Sequence, residues 1–571
     1  MAVDINILVG GEAGQGVQSV GLILSKTFTR GGYHIFTDQD FESRIRGGHS
    51  FCRVRVKETD VQALSEQVHL VVALNKETID LHRAELVEDG LMLLDREGPG
   101  GTDKNLFEVP MSRLAKEKAG DPGMANSVGL GSIMALTGYD MEILSAVFKD
   151  HFKKADIVER NIKAASAGYQ YIKDNFKGQY TYKIAPQAGP GRMVLDGNEA
   201  VALGAIAAGC KFVAGYPMTP TTPILEYLAF NAAKMNMVVV EAEDEISAIN
   251  MIIGAGYAGA RAMTATSGGG FCLMVEGFGL AGMTETPIVV IYGQRAGPAI
   301  GLPTRTEQGD LQFVLHASHG EFPRVVFAPA TVEEAFWLTA RAFNMAEKYQ
   351  GPAVVMIDHY LADAYSSVNR FDLSQISIDR GLLLSTAEMK KAHPYQRHKY
   401  TKTGISPRGL PMYSEELVVT DSDEHDEDGH MIEDAETRKL MVEKRMRKLF
   451  SIRQDIAQPH LYGPKKASTT LVGWGSTYGP LKEAVDMLHS EKVDVNLLHY
   501  SEVWPLDKQP LIDAASTAKQ IYTVENNFTG QFADLIAQET GKMVNGRILK
   551  WDGRPFSPAY IVREFKKMGC C

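Results

Sequence analysis

The chain has 571 residues, 44% hydrophobic and 23% charged, with a net charge of −11, so it is long enough for several cores and has a globular rather than a disordered make-up. The acidic balance argues against nucleic-acid binding as its main business. Its five cysteines, Cys52, Cys210, Cys272, Cys570 and Cys571, are scattered or terminal and form no C-x-x-C, which is a poor basis for a disulfide framework, a zinc site or an iron–sulfur cluster.

No uninterrupted apolar run reaches about 18 residues and no signal peptide opens the chain, so the expectation is a cytoplasmic protein without a membrane span. Residues 5–9 read as a buried strand. Gly10-Gly11-Glu12-Ala13-Gly14-Gln15-Gly16 follows at once, and Val17, Val20, Leu22, Ile23, Leu24 and Phe28 give helical spacing over 17–30. Gly31-Gly32 stops the helix and 33–37 reads as the next strand. This is a βαβ unit with a Gly-rich first turn. Ser19 stands where the last glycine of G-x-G-x-x-G would fall. The turn can cradle phosphate on backbone N–H groups or simply let strand and helix pack closely, and both readings stay open. In Phe41-Glu42-Ser43-Arg44-Ile45-Arg46-Gly47-Gly48-His49-Ser50, two arginines beside a Gly-Gly turn suit phosphate or carboxylate, or a solvated loop. Strands at 69–74 and 91–95 and helices at 127–136 and 141–152 complete an α/β domain over 1–178. Residues 179–192, with Pro186, Gly189, Pro190 and Gly191, read as a linker.

A second α/β domain spans 193–370. An apolar run, 205–214, leads into Tyr216-Pro217-Met218-Thr219-Pro220-Thr221-Thr222-Pro223, and a helical pattern, 224–235, leads out. The strand 237–240 ends in Glu241-Ala242-Glu243-Asp244-Glu245-Ile246-Ser247-Ala248, ahead of a helix at 248–261. The helix dipole favours these four acids without requiring Glu245 in particular. Strand 262–266 ends in Ser267-Gly268-Gly269-Gly270. Strand 288–292 runs into Gly293-Gln294-Arg295-Ala296-Gly297-Pro298 and on to Gly301-Leu302-Pro303-Thr304-Arg305-Thr306-Glu307-Gln308-Gly309-Asp310. Strand 353–357 precedes Asp358-His359. The unusual residues collect at the carboxyl ends of strands, where open α/β sheets bind ligands. Residues 371–466 read as an irregular, partly helical insertion. Its six acids between Asp421 and Asp428 read as a solvated loop, and no metal-ligand set is expected on this chain. A charged helix over 433–456 offers Leu440, Met441, Met446 and Leu449-Phe450 as its apolar positions. Strands at 468–472, 493–498, 520–525 and 547–551 make a third α/β domain over 467–571.

The stretch from Tyr216 to Thr222 resembles the Tyr-Pro-Ile-Thr-Pro-Ser-Ser signature of the 2-oxoacid:ferredoxin oxidoreductases. Three further motifs follow in the family's order: Glu245-Ile246-Ser247-Ala248, Thr264-Ala265-Thr266-Ser267 with its glycines, and Gln294-Arg295-Ala296-Gly297-Pro298 with the Gly-Leu-Pro-Thr-x-Thr-Glu-Gln that follows. The resemblance covers nearly the whole chain. It is that of an alpha subunit with a fused N-terminal gamma domain, most like the 2-oxoglutarate branch (2-oxoglutarate synthase). It implies an α/β protein of three parallel-sheet domains: a gamma-type Rossmann-like domain, a thiamine-diphosphate pyrimidine-binding domain and a transketolase C-terminal-like domain.

The resemblance also assigns roles. Glu245 is the catalytic carboxyl, placed against the aminopyrimidine ring of thiamine diphosphate to protonate N1′. Tyr216, Pro217, Thr266 and Ser267 flank the same cofactor. Arg295 and Thr219 bind the 2-oxoacid. Coenzyme A is the co-substrate, with Gly14, Gly16, Arg44 and Arg46 as candidates to grip it. No G-D-G followed by Asn is present, so Mg2+ and a [4Fe-4S] cluster are expected on a beta subunit that shares the thiamine diphosphate. Ferredoxin is the expected electron partner and a dimer of alpha-beta heterodimers the expected assembly, with neither nucleic acid nor membrane. The implied reaction interconverts 2-oxoglutarate and CoA with succinyl-CoA and CO2. Pyruvate or a branched 2-oxoacid is the alternative substrate, and a non-catalytic CoA- or nucleotide-binding scaffold is the alternative of another class.

Overall fold

The computed structural model describes residues 3–43, 47–96 and 103–569, and the chain divides into two compact units. The first comprises Met1–Asp196, Asp363–Phe371 and Ser557–Tyr560; the second comprises Gly197–Ala362, Asp372–Phe556 and Ile561–Cys571.

The first unit is built on an eight-stranded sheet, in the order Leu106–Val109, Leu86–Asp95, Val68–Ala73, Asp4–Glu12, His49–Lys57, His34–Asp40, Ser366–Val368 and Met193–Leu195. The first four run parallel, and His49–Lys57 runs antiparallel to both of its neighbours. The βαβ unit at the N-terminus is therefore present, with an antiparallel strand slotted between its two strands. That strand is absent from the sequence expectations, although Cys52, Val54 and Val56 alternate with Arg53, Arg55 and Lys57 as in a half-buried strand. Arg55 is nonetheless buried. It donates through Nε and Nη2 to the two carboxylate oxygens of Asp4, each at 2.8 Å, and this forked pair offsets its desolvation.

The second unit carries a seven-stranded sheet, in the order Glu502–Trp504, Val325–Phe327, Pro352–Asp358, Ile288–Gln294, Ala262–Ser267, Phe212–Gly215 and Val238–Glu241. All neighbours are parallel except at the edge strand Glu502–Trp504. Ile288–Gln294 and Pro352–Asp358 are buried along their whole lengths, as strands covered on both faces must be. A further five-stranded sheet runs His460–Tyr462, Val495–Tyr500, Thr469–Trp474, Gln520–Glu525, Gly546–Leu549, parallel but for its first strand. The α/β class with mostly parallel sheets is as the sequence implied.

The segment 372–466 is mostly irregular, with one long helix, Ala435–Asp455, among the described residues. The sequence pattern misleads about that helix. Leu440 and Phe450 are exposed, while Met441, Lys444, Arg445, Lys448 and Ile452 are buried. The reason is a buried carboxylate. Glu285 receives the ammonium groups of Lys444 and Lys448 and lies 3.0 Å from His398 Nδ1. Buried Glu347 plays the same part for Arg261, Arg380 and Arg408. Ion pairs, not apolar stripes, dock this segment. No helix among the described residues is long and apolar enough to cross a membrane.

Candidate active site at the carboxyl edge of the seven-stranded sheet

Three adjacent parallel strands of the second unit, Phe212–Gly215, Ala262–Ser267 and Ile288–Gln294, end at one edge. After the first, the chain turns through Tyr216–Thr221 into the helix Thr222–Met235. Tyr216 and Pro217 are exposed there, Thr219 is half-buried and Thr221 is buried. Thr221 does not cap the helix; its hydroxyl donates to the Met218 carbonyl at 3.0 Å. The turn lies against the end of the third strand. A Cβ on Gly293 would fall 2.6 Å from Thr221 Cγ2 and 2.8 Å from Pro220 Cδ, so only glycine permits the approach. Arg295, one residue beyond that strand, donates through Nη1 to the Thr219 carbonyl at 3.0 Å. The two residues assigned to the substrate by resemblance thus sit together.

The acids before the helix Glu245–Tyr257 separate by environment. Glu241 and Glu243 are exposed. Asp244 is the N-cap and accepts from the Ser247 N–H at 2.7 Å. Glu245 alone is buried, 4% exposed, and its Oε1 has no hydrogen-bond partner among the described residues. The hydroxyls of Thr264, Thr266 and Ser267, all fully buried, are equally without partners. Gly270 explains how these groups converge: a Cβ there would lie 2.1 Å from Thr266 Oγ1 and 2.5 Å from Glu245 Oε1. Each buried polar atom left unpaired costs about 1–3 kcal/mol. Glu245 Oε1 and Thr266 Oγ1, meeting at the space Gly270 leaves clear, therefore mark a place for a polar ligand. The open first turn of the helix Gly268–Met283, where nothing lies within 4 Å of a Cβ on Gly269, borders the same space. The buried carboxyl and hydroxyls suit a heteroaromatic ring that carries hydrogen-bonding nitrogens, as an aminopyrimidine does.

Sequence reasoning gave no separate role to Tyr292, Glu307 or Asp310, although all three border this edge. A Cβ on Gly268 would lie 3.1 Å from Tyr292 Oη and 3.2 Å from Asp310 Oδ2. Burial raises the Asp310 pKa against the pull of Tyr292 and Arg295. Burial, helped by the charge of Asp310, pushes Glu307 up to about 7. The signal available was two acids three residues apart on a glycine-rich loop leaving a parallel strand.

Gly14 and Gly16 belong to the first unit. Both have positive φ, 95° and 72°, and Gly16 caps the helix Val17–Arg30 without a side chain. A Cβ on Gly14 would meet nothing within 4 Å, whereas one on Gly16 would fall 2.5 Å from Asn126 Nδ2. Arg44 and Arg46 lie outside the described residues. In the acidic loop, Asp426, Asp428 and His430 bring ligand atoms within 4.8 Å of one another. The Asp426 carboxylate there accepts from the N–H groups of Asp428 and His430, as in an ordinary turn.

Residues 203–444 match the family model of the pyruvate flavodoxin/ferredoxin oxidoreductase thiamine diP-binding domain. Residues 6–171 match the pyruvate ferredoxin/flavodoxin oxidoreductase domain, and residues 463–553 the transketolase C-terminal domain. The chain is 32% identical to the 2-oxoacid:ferredoxin oxidoreductase subunit alpha of Sulfolobus sp, over 96% of this chain and 94% of that one. It is 31% identical to the 2-oxoglutarate synthase subunit KorA of Methanothermobacter marburgensis, over 66% of this chain and 98% of the relative. A solved 2-oxoglutarate:ferredoxin oxidoreductase from Magnetococcus marinus, with 2-oxoglutarate, coenzyme A and succinyl-CoA bound, superposes with a TM-score of 0.92 at 30% identity and covers 99% of both chains.

Proposed function

Since the chain belongs to the 2-oxoacid:ferredoxin oxidoreductase family as an alpha subunit, we propose that its own reaction is the CoA-dependent interconversion of 2-oxoglutarate with succinyl-CoA and CO2, two electrons passing to or from ferredoxin. The 2-oxoglutarate-bound relative and the 2-oxoglutarate synthase subunits support this choice of substrate. The domain division is 1–178, 193–370 and 467–571, with a linker at 179–192 and the insertion at 371–466. A beta subunit completes the site, holding Mg2+, a [4Fe-4S] cluster and the diphosphate end of thiamine diphosphate. The working assembly is a dimer of alpha-beta heterodimers.

The observation that carries the reading is the buried Glu245 carboxyl, its Oε1 unpartnered, beside the unpartnered Thr266 hydroxyl at the space Gly270 clears. Thiamine diphosphate, when bound, supplies the electron sink for decarboxylation. Glu245 Oε1 holds the proton for the ring nitrogen it meets. Thr266 and Ser267 orient the ring through their hydroxyls, and Tyr216 and Pro217 close over it. The Arg295 guanidinium binds the 2-oxoacid carboxylate as a planar fork, and Thr219 positions the same end. Gly14, Gly16, Arg44 and Arg46 hold the phosphates of coenzyme A. E245Q in the assembled complex tests the reading. The expected result is an intact complex with kcat lowered about 10²–10⁴-fold, the usual worth of a positioned proton donor. Activity within a few-fold of wild type would remove Glu245 from the chemistry.

A further inference from the structure

The turn Tyr216–Thr221 is pinned by its own carbonyls, and three in a row have different partners. The Met218 carbonyl accepts from the Thr221 N–H at 2.9 Å and from the Thr221 hydroxyl at 3.0 Å. The Thr219 carbonyl accepts from Arg295 Nη1 at 3.0 Å. The Pro220 carbonyl accepts from Asn198 Nδ2 at 3.1 Å. A carbonyl can only accept, so the atom that faces Pro220 is fixed as the amide nitrogen. Asn198 is 1% exposed and lies outside the four motifs that carry the resemblance.

The mount for that amide is stiff. Asn198 is the second residue of the helix Gly197–Ala207. A Cβ on Gly197 would fall 2.2 Å from the Leu361 carbonyl oxygen, and one on Gly204 2.4 Å from that of Phe336. The helix therefore lies against its neighbours backbone to backbone, where side chains have no slack to give. On the other side of the turn, Pro220 and Thr221 close on Gly293 at the end of the strand Ile288–Gln294. The turn is thus held between Asn198 and that strand end. Arg295 spends one nitrogen on the turn itself, so the Thr219 carbonyl sets the direction of the rest of its guanidinium.

We propose that Asn198 is a positioning residue for the 2-oxoacid: by holding the Pro220 carbonyl it fixes Thr219 and, through the Thr219 carbonyl, the guanidinium of Arg295. This rests on Arg295 and Thr219 being the residues that bind the 2-oxoacid. Without the amide donor the buried Pro220 carbonyl is left unpaired, and the turn relaxes to find a partner. Thr219 moves with it, and the substrate carboxylate meets a guanidinium out of line. The loss falls on the 2-oxoacid rather than on the cofactor, because Glu245 and Thr266 stand on other elements.

The test is steady-state kinetics of the assembled complex, with 2-oxoglutarate and CoA varied in turn. N198A and N198D both remove the amide donor, the second at nearly constant volume. The expected result in both is a KM for 2-oxoglutarate raised about tenfold, the size of one buried hydrogen bond lost. The KM for CoA and kcat should stay within about twofold, the pattern of lost substrate binding. R295K and N198A/R295K complete a double-mutant cycle. Because Asn198 acts through the turn that Arg295 holds, the double variant should lose less than the product of the two single losses. An unchanged KM in N198A and N198D, or losses that multiply in full, overturns the proposal. Failure of both Asn198 variants to assemble would make Asn198 a structural residue only and would overturn it as well. If R295K keeps the wild-type KM for 2-oxoglutarate, it is the substrate reading of Arg295 that falls. If R295K raises that KM while N198A and N198D do not, only the role of Asn198 falls.

Discussion

Asp244 and Glu245 are chain neighbours with opposite fates, and the contrast carries most of what the site residues reveal. Asp244 spends its carboxylate on a helix cap, whereas Glu245 is buried with one oxygen unmatched. Charge patterning cannot tell them apart, since the helix dipole welcomes any acid at that end. Only the family motif singled Glu245 out, and only burial supplies the physical reason. Gly270 makes the same point from the other side, as the missing side chain that leaves room for Thr266 and Glu245. G270A should therefore weaken thiamine diphosphate binding by at least about fivefold, the low end of an overpacking cost of about 1–3 kcal/mol. Circular dichroism and complex assembly should stay as in wild type. Equilibrium dialysis checks it, and unchanged affinity would show that the cleared space lies elsewhere. Glu307 and Asp310 were visible in the sequence only as letters of a longer motif. Their environment depends on burial and on a loop fold that spacing does not encode, and Tyr292 alone reads as an ordinary core tyrosine.

Loops and helices carry a different lesson. The turn at 306–310 is held from outside by Trp474, Asn526, Asn527 and Gln531. N527A should loosen it, raising the KM for the 2-oxoacid several-fold while leaving the KM for CoA unchanged. The lost hydrogen bonds are worth about 1–3 kcal/mol, and steady-state kinetics on both substrates reads the split. Elements the sequence hid share a cause. The helix Ala155–Asn175 packs through small residues: Cβ atoms on Gly131 and Gly168 would fall 1.8 Å from the Ala165 carbonyl oxygen and 2.0 Å from that of Val128. A contact made by backbones leaves no large-apolar stripe to read. The helix Ala435–Asp455 buries lysines against Glu285, so its apolar letters point the wrong way. Although burial opposes it, Lys444 and Lys448 hold the Glu285 carboxyl well below its usual range. A depressed carboxylate pKa contributes stability above its unfolded value of about 4.5 and loses it as pH falls through the folded value. E285Q should thus cost about 3–5 kcal/mol near neutrality by leaving two ammonium groups unpaired. The deficit should shrink on acidification. Thermal melts from about pH 7 down to pH 3 check this, and equal melting temperatures at neutral pH would refute it.

At the scale of the molecule, the order of parts was legible because each motif marks a strand end, and parallel sheets put strand ends at the ligand edge. The two glycine-rich turns of the first unit were read either as anion cradles or as packing and solvated turns, and the polar edge of the second as a candidate ligand edge. The buried ionic docking of the insertion was not foreseen, because its partners lie from tens to more than a hundred residues apart in sequence. What the chain offers is a carboxyl, buried hydroxyls and an arginine, which in the proposed reading form one side of a thiamine diphosphate site, the diphosphate, the metal and the cluster falling to a partner. The most direct test is to isolate a tagged copy from its own cells without oxygen, then record its visible spectrum, its companion chains and its CoA-dependent reduction of ferredoxin with 2-oxoglutarate, pyruvate and a branched 2-oxoacid. The account predicts a brown complex with the broad absorbance of an iron–sulfur cluster. It also predicts a second chain bearing cysteines and a G-D-G motif, and fastest reduction with 2-oxoglutarate. A colourless chain that purifies alone, or a complex that turns over pyruvate and ignores 2-oxoglutarate, would contradict it.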